Sequence, residues 1–367
     1  MKRIVAALFF FTVFLYNGAA KAEPAAAAVI EAETGRVLYA VNENVQLPMA
    51  STTKVMTALV AIENGQLSDL VTAGENAYGV PGTSIYLEKG ESLTLEQLIY
   101  GLMLASGNDA AVAIAEHVGG SVGGFCDLMN ARAASLGCVN THFVTPHGLP
   151  AADHYTTALD LCRIAQAAME QPFFRRVVST QRATIPWKNH PGDRVLNNKN
   201  RLLSTYPGAL GIKTGYTKAA GRCLVFAAER EGMMLIGTVL NCPDWFDQSA
   251  ALLDHTFAAY HMYTALRAGE IVHRLPVTGG TEDGVEVITA RALQAPLASD
   301  EVGELRFSWP ETVAAGFEKG DQIGTASLVV GGEVLCAVPL VAQYGVPERT
   351  FLTGLENAWQ NWLLLAR

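Results

Sequence analysis

Apolar residues change texture three times along the chain. Ile4 to Tyr16 is an apolar run interrupted only by Thr12; Lys2 and Arg3 precede it, and Ala20-Lys21-Ala22 follows with small residues. A basic start, a short greasy stretch and a small-residue exit predict a secretory signal over residues 1–22. An uncleaved anchor is the competing reading, but the run falls short of the roughly 20 residues that a span requires. No later segment offers eighteen consecutive apolar positions. The body is therefore expected to be exported and to work at the outer face of the cytoplasmic membrane or in the cell envelope.

Next comes helix-rich texture. Short apolar runs at 28–31 and 36–41 flank Glu33-Thr34-Gly35 and predict a hairpin. A helix is expected over 51–63, closed by Asn64-Gly65, and another from Thr94, whose spacing to Gln97 matches a capping box, to about 105. Helices over 109–118, 122–136 and 157–171 follow, with a Pro- and Gly-bearing loop at 137–157. From Gly211 the texture turns to strands, with runs at 212–216, 223–229 and 233–240, and then a helix over 247–267. Residues 271–344 alternate in short runs between glycines, as in a small all-β unit. Past Pro347 an amphipathic helix places Leu355, Trp359, Trp362 and Leu363 on one side and Glu356, Asn357, Gln360 and Asn361 on the other. The expected organisation is a signal at 1–22, a catalytic-sized unit at 23–267, a β-rich unit at 268–346 and a terminal helix at 347–367. That helix is read as a membrane-surface anchor, with docking on the protein's own β unit or a dimer contact as alternatives.

Composition narrows the function. The 367 residues are 50% hydrophobic and 17% charged, enough for a large core. With 26 Lys+Arg against 35 Asp+Glu the formal charge is −9, and there is no basic block, so nucleic acid is not an expected partner. Export argues against ATP or NADH, and no cofactor is expected. Six cysteines allow fifteen full pairings and spacing selects none; Cys162 and Cys223 lie in apolar stretches and read as small core residues. His142 and His147 are five apart without a third ligand type nearby, so they read as loop-ordering residues and no metal is expected.

Three short motifs carry chemistry. In Ser51-Thr52-Thr53-Lys54 the hydroxyl and the amine are one helical turn apart. The next residues, Val55, Met56, Ala58, Leu59, Val60, Ala61 and Ile62, leave almost no polar face, so this helix should be buried. Burial and the positive end of a helix dipole both lower a lysine's pKa, which would let Lys54 take the serine proton. Ser106-Gly107-Asn108 lies at the joint of two helices and could present a hydroxyl and an amide to a cleft. Lys213-Thr214-Gly215, followed by Tyr216, falls on an expected edge strand, where a cation and a hydroxyl would suit a carboxylate and the glycine would admit a ligand backbone. Each motif alone has a bland reading: a chance match, a capped helix break, a turn.

Together, in this order, they resemble the penicillin-recognising serine enzymes. The surrounding Met49-Ala-Ser51-Thr-Thr-Lys54-Val-Met-Thr-Ala58, Leu104-Ala-Ser106-Gly-Asn108-Asp-Ala-Ala111, Thr141-His-Phe-Val-Thr-Pro-His147-Gly-Leu149, His154-Tyr-Thr-Thr157 and Gly211-Ile-Lys213-Thr-Gly215-Tyr-Thr-Lys218-Ala-Ala-Gly221-Arg narrow the resemblance to low-molecular-mass penicillin-binding proteins, the D-alanyl-D-alanine carboxypeptidases. The resemblance implies an α/β (α+β) fold: a β-lactamase/transpeptidase-like catalytic domain with an antiparallel sheet flanked by helices, a small all-β C-terminal domain and a terminal amphipathic helix. It implies Ser51 as acyl-ester nucleophile, Lys54 as base, and Ser106 and Asn108 as proton relay and peptide holders. Lys213, Thr214, Gly215 and Tyr216 would bind substrate, with the Ser51 and Tyr216 N–H groups as the oxyanion hole. The implied partners are the peptidoglycan stem peptide and β-lactams as covalent inhibitors. One departure is that Asn241-Cys-Pro-Asp-Trp-Phe-Asp-Gln248 lacks the arginine that many relatives carry there, so carboxylate binding would rest on Lys213 and Thr214 or on Arg222. A β-lactamase or penicillin-binding esterase of the same fold and a non-catalytic wall-peptide scaffold are the rival readings; the nearest match to a deacylating Glu-x-x-Leu-Asn is Asp193-Arg-Val-Leu-Asn197.

Overall fold

The structure, a computed structural model, describes residues 23–350 and Trp359. The expected signal segment lies outside the described residues, as does the expected terminal helix apart from residues 347–350 and Trp359. Five strands build the central sheet: β1 (Ala26–Glu31), β2 (Val37–Val41), β3 (Ala209–Thr217), β4 (Gly221–Arg230) and β5 (Met233–Leu240). Their order is β2-β1-β5-β4-β3, and every neighbouring pair is antiparallel. The first and second strands form the expected hairpin, and β3 is an edge.

Both faces of this sheet are covered, and the period of two decides which residue meets which layer. Ala26, Ala28 and Ile30 join a core shared with the major helices, whereas Ala27 and Val29 join Leu252 and Leu253 of the helix Trp245–Ala259 on the opposite face. The major helices are α1 (Lys54–Asn64), α2 (Leu95–Met103), α3 (Asn108–Gly119), α4 (Val122–Ser135) and α5 (Ala158–Met169). Thr94 caps α2 through the anticipated box, its hydroxyl accepting from Gln97 N and its own N–H donating to Gln97 Oε1. In α1 every residue from Lys54 to Ala61 is buried, as a sequence without a polar face requires.

Two elements differ from the sequence expectation. Ser51 is not on the α-helix but on a 3-10 turn, Ala50–Thr53, that leads into α1. The hydroxyls of Thr52 and Thr53 donate back to the Met49 and Ala50 carbonyls, which favours the tighter winding. The helix expected to run to residue 267 stops at Ala259, because Tyr260–Leu266 is a strand paired antiparallel with Leu293–Ala298. Here strand pairing to a distant segment overrides local helix propensity.

The strand Tyr260–Leu266 opens the second unit. Its main sheet has six strands and encloses a separate apolar cluster that includes Leu275, Val285, Val287, Leu328 and Leu340. This all-β unit beside a helix-flanked antiparallel sheet is the expected α/β (α+β) architecture.

Candidate active site

A cleft of about 410 Å³ opens between the edge strand β3 and the turn that joins α2 to α3. Ser51, Ser106, Asn108, Thr214, Gly215 and Tyr216 line it, while Lys54 and Lys213 are buried beneath it. The three motifs, separated by up to 160 residues of chain, therefore converge on one place.

The approach of the serine turn to β3 depends on two glycines. A Cβ on Gly215 would stand 3.0 Å from both the Ser51 and the Thr52 backbone nitrogens, so only a bare α-carbon lets the strand run this close to the Ser51 turn. Gly148 has φ +85°, and a Cβ there would overlap the Ala50 carbonyl. Ala50 itself has φ +49° and Ser106 φ +64°, left-handed conformations that cost a non-glycine residue energy and that tertiary contacts must hold.

Lys54 Nζ lies 3.0 Å from Ser51 Oγ, 2.7 Å from Asn108 Oδ1 and 2.8 Å from the His147 carbonyl oxygen. The last two can only accept. The Asn108 amide is oriented from its other end, where Nδ2 donates to the Pro81 carbonyl at 2.6 Å. An uncharged amine has two N–H donors and one lone pair. The two carbonyl-type partners take both donors, which leaves the lone pair for the Ser51 proton. Burial is the main cause that pushes the Lys54 pKa well below its ordinary value; the Lys213 and Lys199 charges push the same way, and Asp109 opposes them. Geometry and the direction of the shift both favour the uncharged form of Lys54.

Lys213 is 1% exposed, and its Nζ donates to the Thr214 carbonyl at 3.1 Å. Burial, with help from Lys199, lowers its pKa to about 7. Arg222 does not line the cleft: its guanidinium donates to the Pro243 carbonyl and stands over the Trp245 ring. The cation that does line the cleft is Lys199, together with Gly82, Thr83, Leu149 and Trp245, none of which was given a role from the sequence. Lys199 sits in Asn197-Asn198-Lys199-Asn200, where no periodicity or spacing links it to the motifs.

The loop from 137 to 157 reaches the site through its histidines. His154 Nδ1 accepts from Val144 N at 3.0 Å, so its proton is on Nε2, which lies 2.9 Å from Thr53 Oγ1. Burial lowers its pKa to about 4 and keeps it neutral. His142 Nδ1 meets the Asp153 carbonyl oxygen at 2.6 Å, and His147 Nδ1 accepts from Leu149 N at 3.2 Å, so both side chains bond within this loop. All six cysteines are free thiols, and Cys162 and Cys223 are fully buried in the core.

Comparison with known proteins shows the same division. The D-alanyl-D-alanine carboxypeptidase family profile matches residues 16–244, and that of the penicillin-binding protein 5 C-terminal domain matches residues 260–348. The carboxypeptidase DacF of Bacillus subtilis is 32% identical over 351 residues, covering 93% of this chain and 90% of its own. DacA of Escherichia coli is 32% identical over 341 residues, covering 88% and 83%. Penicillin-binding protein 5 of Haemophilus influenzae superposes with a TM-score of 0.74 at 27% identity, over 89% of this chain and 98% of its own. The chain belongs to the D-alanyl-D-alanine carboxypeptidase family of serine peptidases.

Proposed function

We propose that the protein removes the terminal D-alanine from peptidoglycan stem pentapeptides through an acyl-enzyme on Ser51. The observation that carries this reading is the Lys54 amine, which meets one hydroxyl and two obligate acceptors. Ser51 Oγ attacks the carbonyl between the two D-alanines as its proton passes to Lys54 Nζ. The bond to the leaving nitrogen then breaks, and a proton relayed past Ser106 and Asn108 reaches that nitrogen. Water, losing its proton to the same base, cleaves the ester and releases the shortened peptide as Lys54 returns that proton to Ser51 Oγ. The Ser51 and Tyr216 N–H groups would hold the developing oxyanion. Thr214 and Lys199 line the cleft where the terminal carboxylate would lie, with the Lys213 charge beneath them.

β-Lactams would acylate the same serine. No Asp or Glu is among the residues lining the cleft, and Asp193 lies outside it, exposed and just before the hairpin strand Arg194–Asn197. A deacylating carboxylate of the β-lactamase kind is thus not in place, which supports a long-lived adduct. Work on wall peptides fits export to the outer face of the membrane, where the amphipathic pattern of residues 347–367 would suit its surface.

The test is D-alanine release from diacetyl-Lys-D-Ala-D-Ala. The parent protein should release D-alanine and take one covalent penicilloyl group per chain. Ser51→Ala should lose both, with the rate falling by at least about 10³-fold. Retained release in that variant would overturn the assignment, and rapid hydrolysis of benzylpenicillin would favour a β-lactamase.

A further inference from the structure

Beside the motif residues stands a buried carboxylate that the mechanism does not use. Asp109, 1% exposed, is the second residue of α3. Its carboxylate accepts from Ser84 Oγ at 2.6 Å, Ile85 N at 3.0 Å, Leu87 N at 3.0 Å and Ala110 N at 2.9 Å. Three of these donors belong to the loop before α2, so Asp109 ties that loop to the start of α3. The same loop supplies two further ties. Thr83 Oγ1 donates to the Ser106 carbonyl at 2.5 Å, and the Thr83 carbonyl accepts from Asn108 N at 2.7 Å. At its near end the Pro81 carbonyl receives Asn108 Nδ2.

That last bond decides the polarity of the site. An asparagine amide is nearly symmetric in shape and opposite in hydrogen-bonding sense at its two ends. With Nδ2 on Pro81, Oδ1 faces Lys54. Were the Pro81 carbonyl to move away, the amide could turn over and offer an N–H to the lysine lone pair, in competition with the Ser51 proton.

We propose that Asp109 is a positioning residue of the reaction: by clamping the 81–87 loop it fixes the Asn108 amide so that its oxygen, and not its nitrogen, faces Lys54. The proposal rests on the acyl-enzyme reading and adds to it a residue that touches neither substrate nor base. A carboxylate suits this position because four donors share its two oxygens, and the N-terminal turn of α3 favours its charge. Asparagine at 109 would keep the shape but present a single acceptor oxygen.

The experiment measures acylation by benzylpenicillin under pre-steady-state conditions, which separates the acylation rate constant from the noncovalent dissociation constant and from the labelled fraction. In Asp109→Asn the rate constant should fall about tenfold or more while the dissociation constant stays within about threefold. Ser84→Ala removes one donor from outside the cleft and should lower the same rate constant about threefold to fivefold. A merely structural role would lower the labelled fraction or the melting temperature and leave the rate constant within about twofold of the parent in both variants; that result overturns the proposal. Should Asp109→Asn fail to fold, Ser84→Ala decides alone by the same criterion. A parent protein that takes no label would instead refute the acyl-enzyme reading.

Discussion

At Lys54 an amine faces only acceptors and a hydroxyl, so in the proposed mechanism its proton count sets the activity. Its pKa is depressed, and as base it must be uncharged, so kcat/KM should rise with pH through its titration. Lys213 works in the opposite sense. In the proposed mechanism its positive charge helps hold the substrate carboxylate, and with a free-enzyme pKa lowered to about 7 that charge is lost as pH rises through this value. The profile should therefore be bell-shaped, and because the two amines interact, its limbs would belong to the pair. Lys199 lowers both pKa values through its own charge. In Lys199→Met both limbs should move to higher pH, and KM should rise because a cleft cation has gone. Measuring kcat/KM across pH checks this, and limbs that stay in place would show that Lys199 is too well solvated to act on either amine.

At the scale of elements, the site is made by bringing a 3-10 turn against an edge strand, and Gly215 is the point of contact. Gly215→Ala should lower the acylation rate at least about tenfold while costing only about 1 kcal/mol of stability, since φ here is ordinary for a strand and the new methyl meets the Ser51 and Thr52 nitrogens rather than the core. Acylation kinetics and thermal melting of the same sample separate the two effects; equal losses in both would mean that the strand itself had been disrupted. How much of this could be read from the sequence depends on range. The capping box of α2, the hairpin of β1 and β2 and the strands at 212–240 rest on neighbours within a few residues, and they lie close to where they were expected. The 3-10 turn rests on Ala50 at φ +49° packed against Gly148, nearly a hundred residues away, and local pattern holds no trace of it. The end of the helix at Ala259 likewise depends on Leu293–Ala298 pairing with Tyr260–Leu266. Ser51, Lys54, Ser106 and Asn108 were legible because their types and spacings carry chemistry. Lys199 and Asp109 were not, since the place of each is set by how its loop or helix end is folded.

At the scale of the molecule, the cleft and the second unit meet opposite edges of one sheet. Three strand spacings of about 4.8 Å separate β3 from β1 and four separate it from β2, so β3 lies roughly 14–19 Å across the sheet from the β1–β2 turn. That turn is the docking point for the β unit. Arg36 makes a forked pair with Glu301 and also donates to the Pro296 carbonyl, while its guanidinium stands 5.5 Å from the centre of the Tyr260 ring. Glu33 accepts from Arg291 at 3.2 Å and Gln294 at 2.9 Å. The Arg36 and Glu301 side chains are only 17% and 24% exposed, so their pair is less screened than a surface bridge. Two units with separate cores joined this way should unfold together only while the joint holds. Arg36→Ala removes the fork, the carbonyl contact and the ring contact at once, a loss of about 1–3 kcal/mol. Calorimetry should then resolve the single transition of the parent into two, while D-alanine release at 25 °C stays within about twofold because the cleft keeps its own core. A variant that still melts in one step at the parent temperature would mean that the continuous chain through Ala259 and Tyr260, and not the Arg36 contacts, couples the two units.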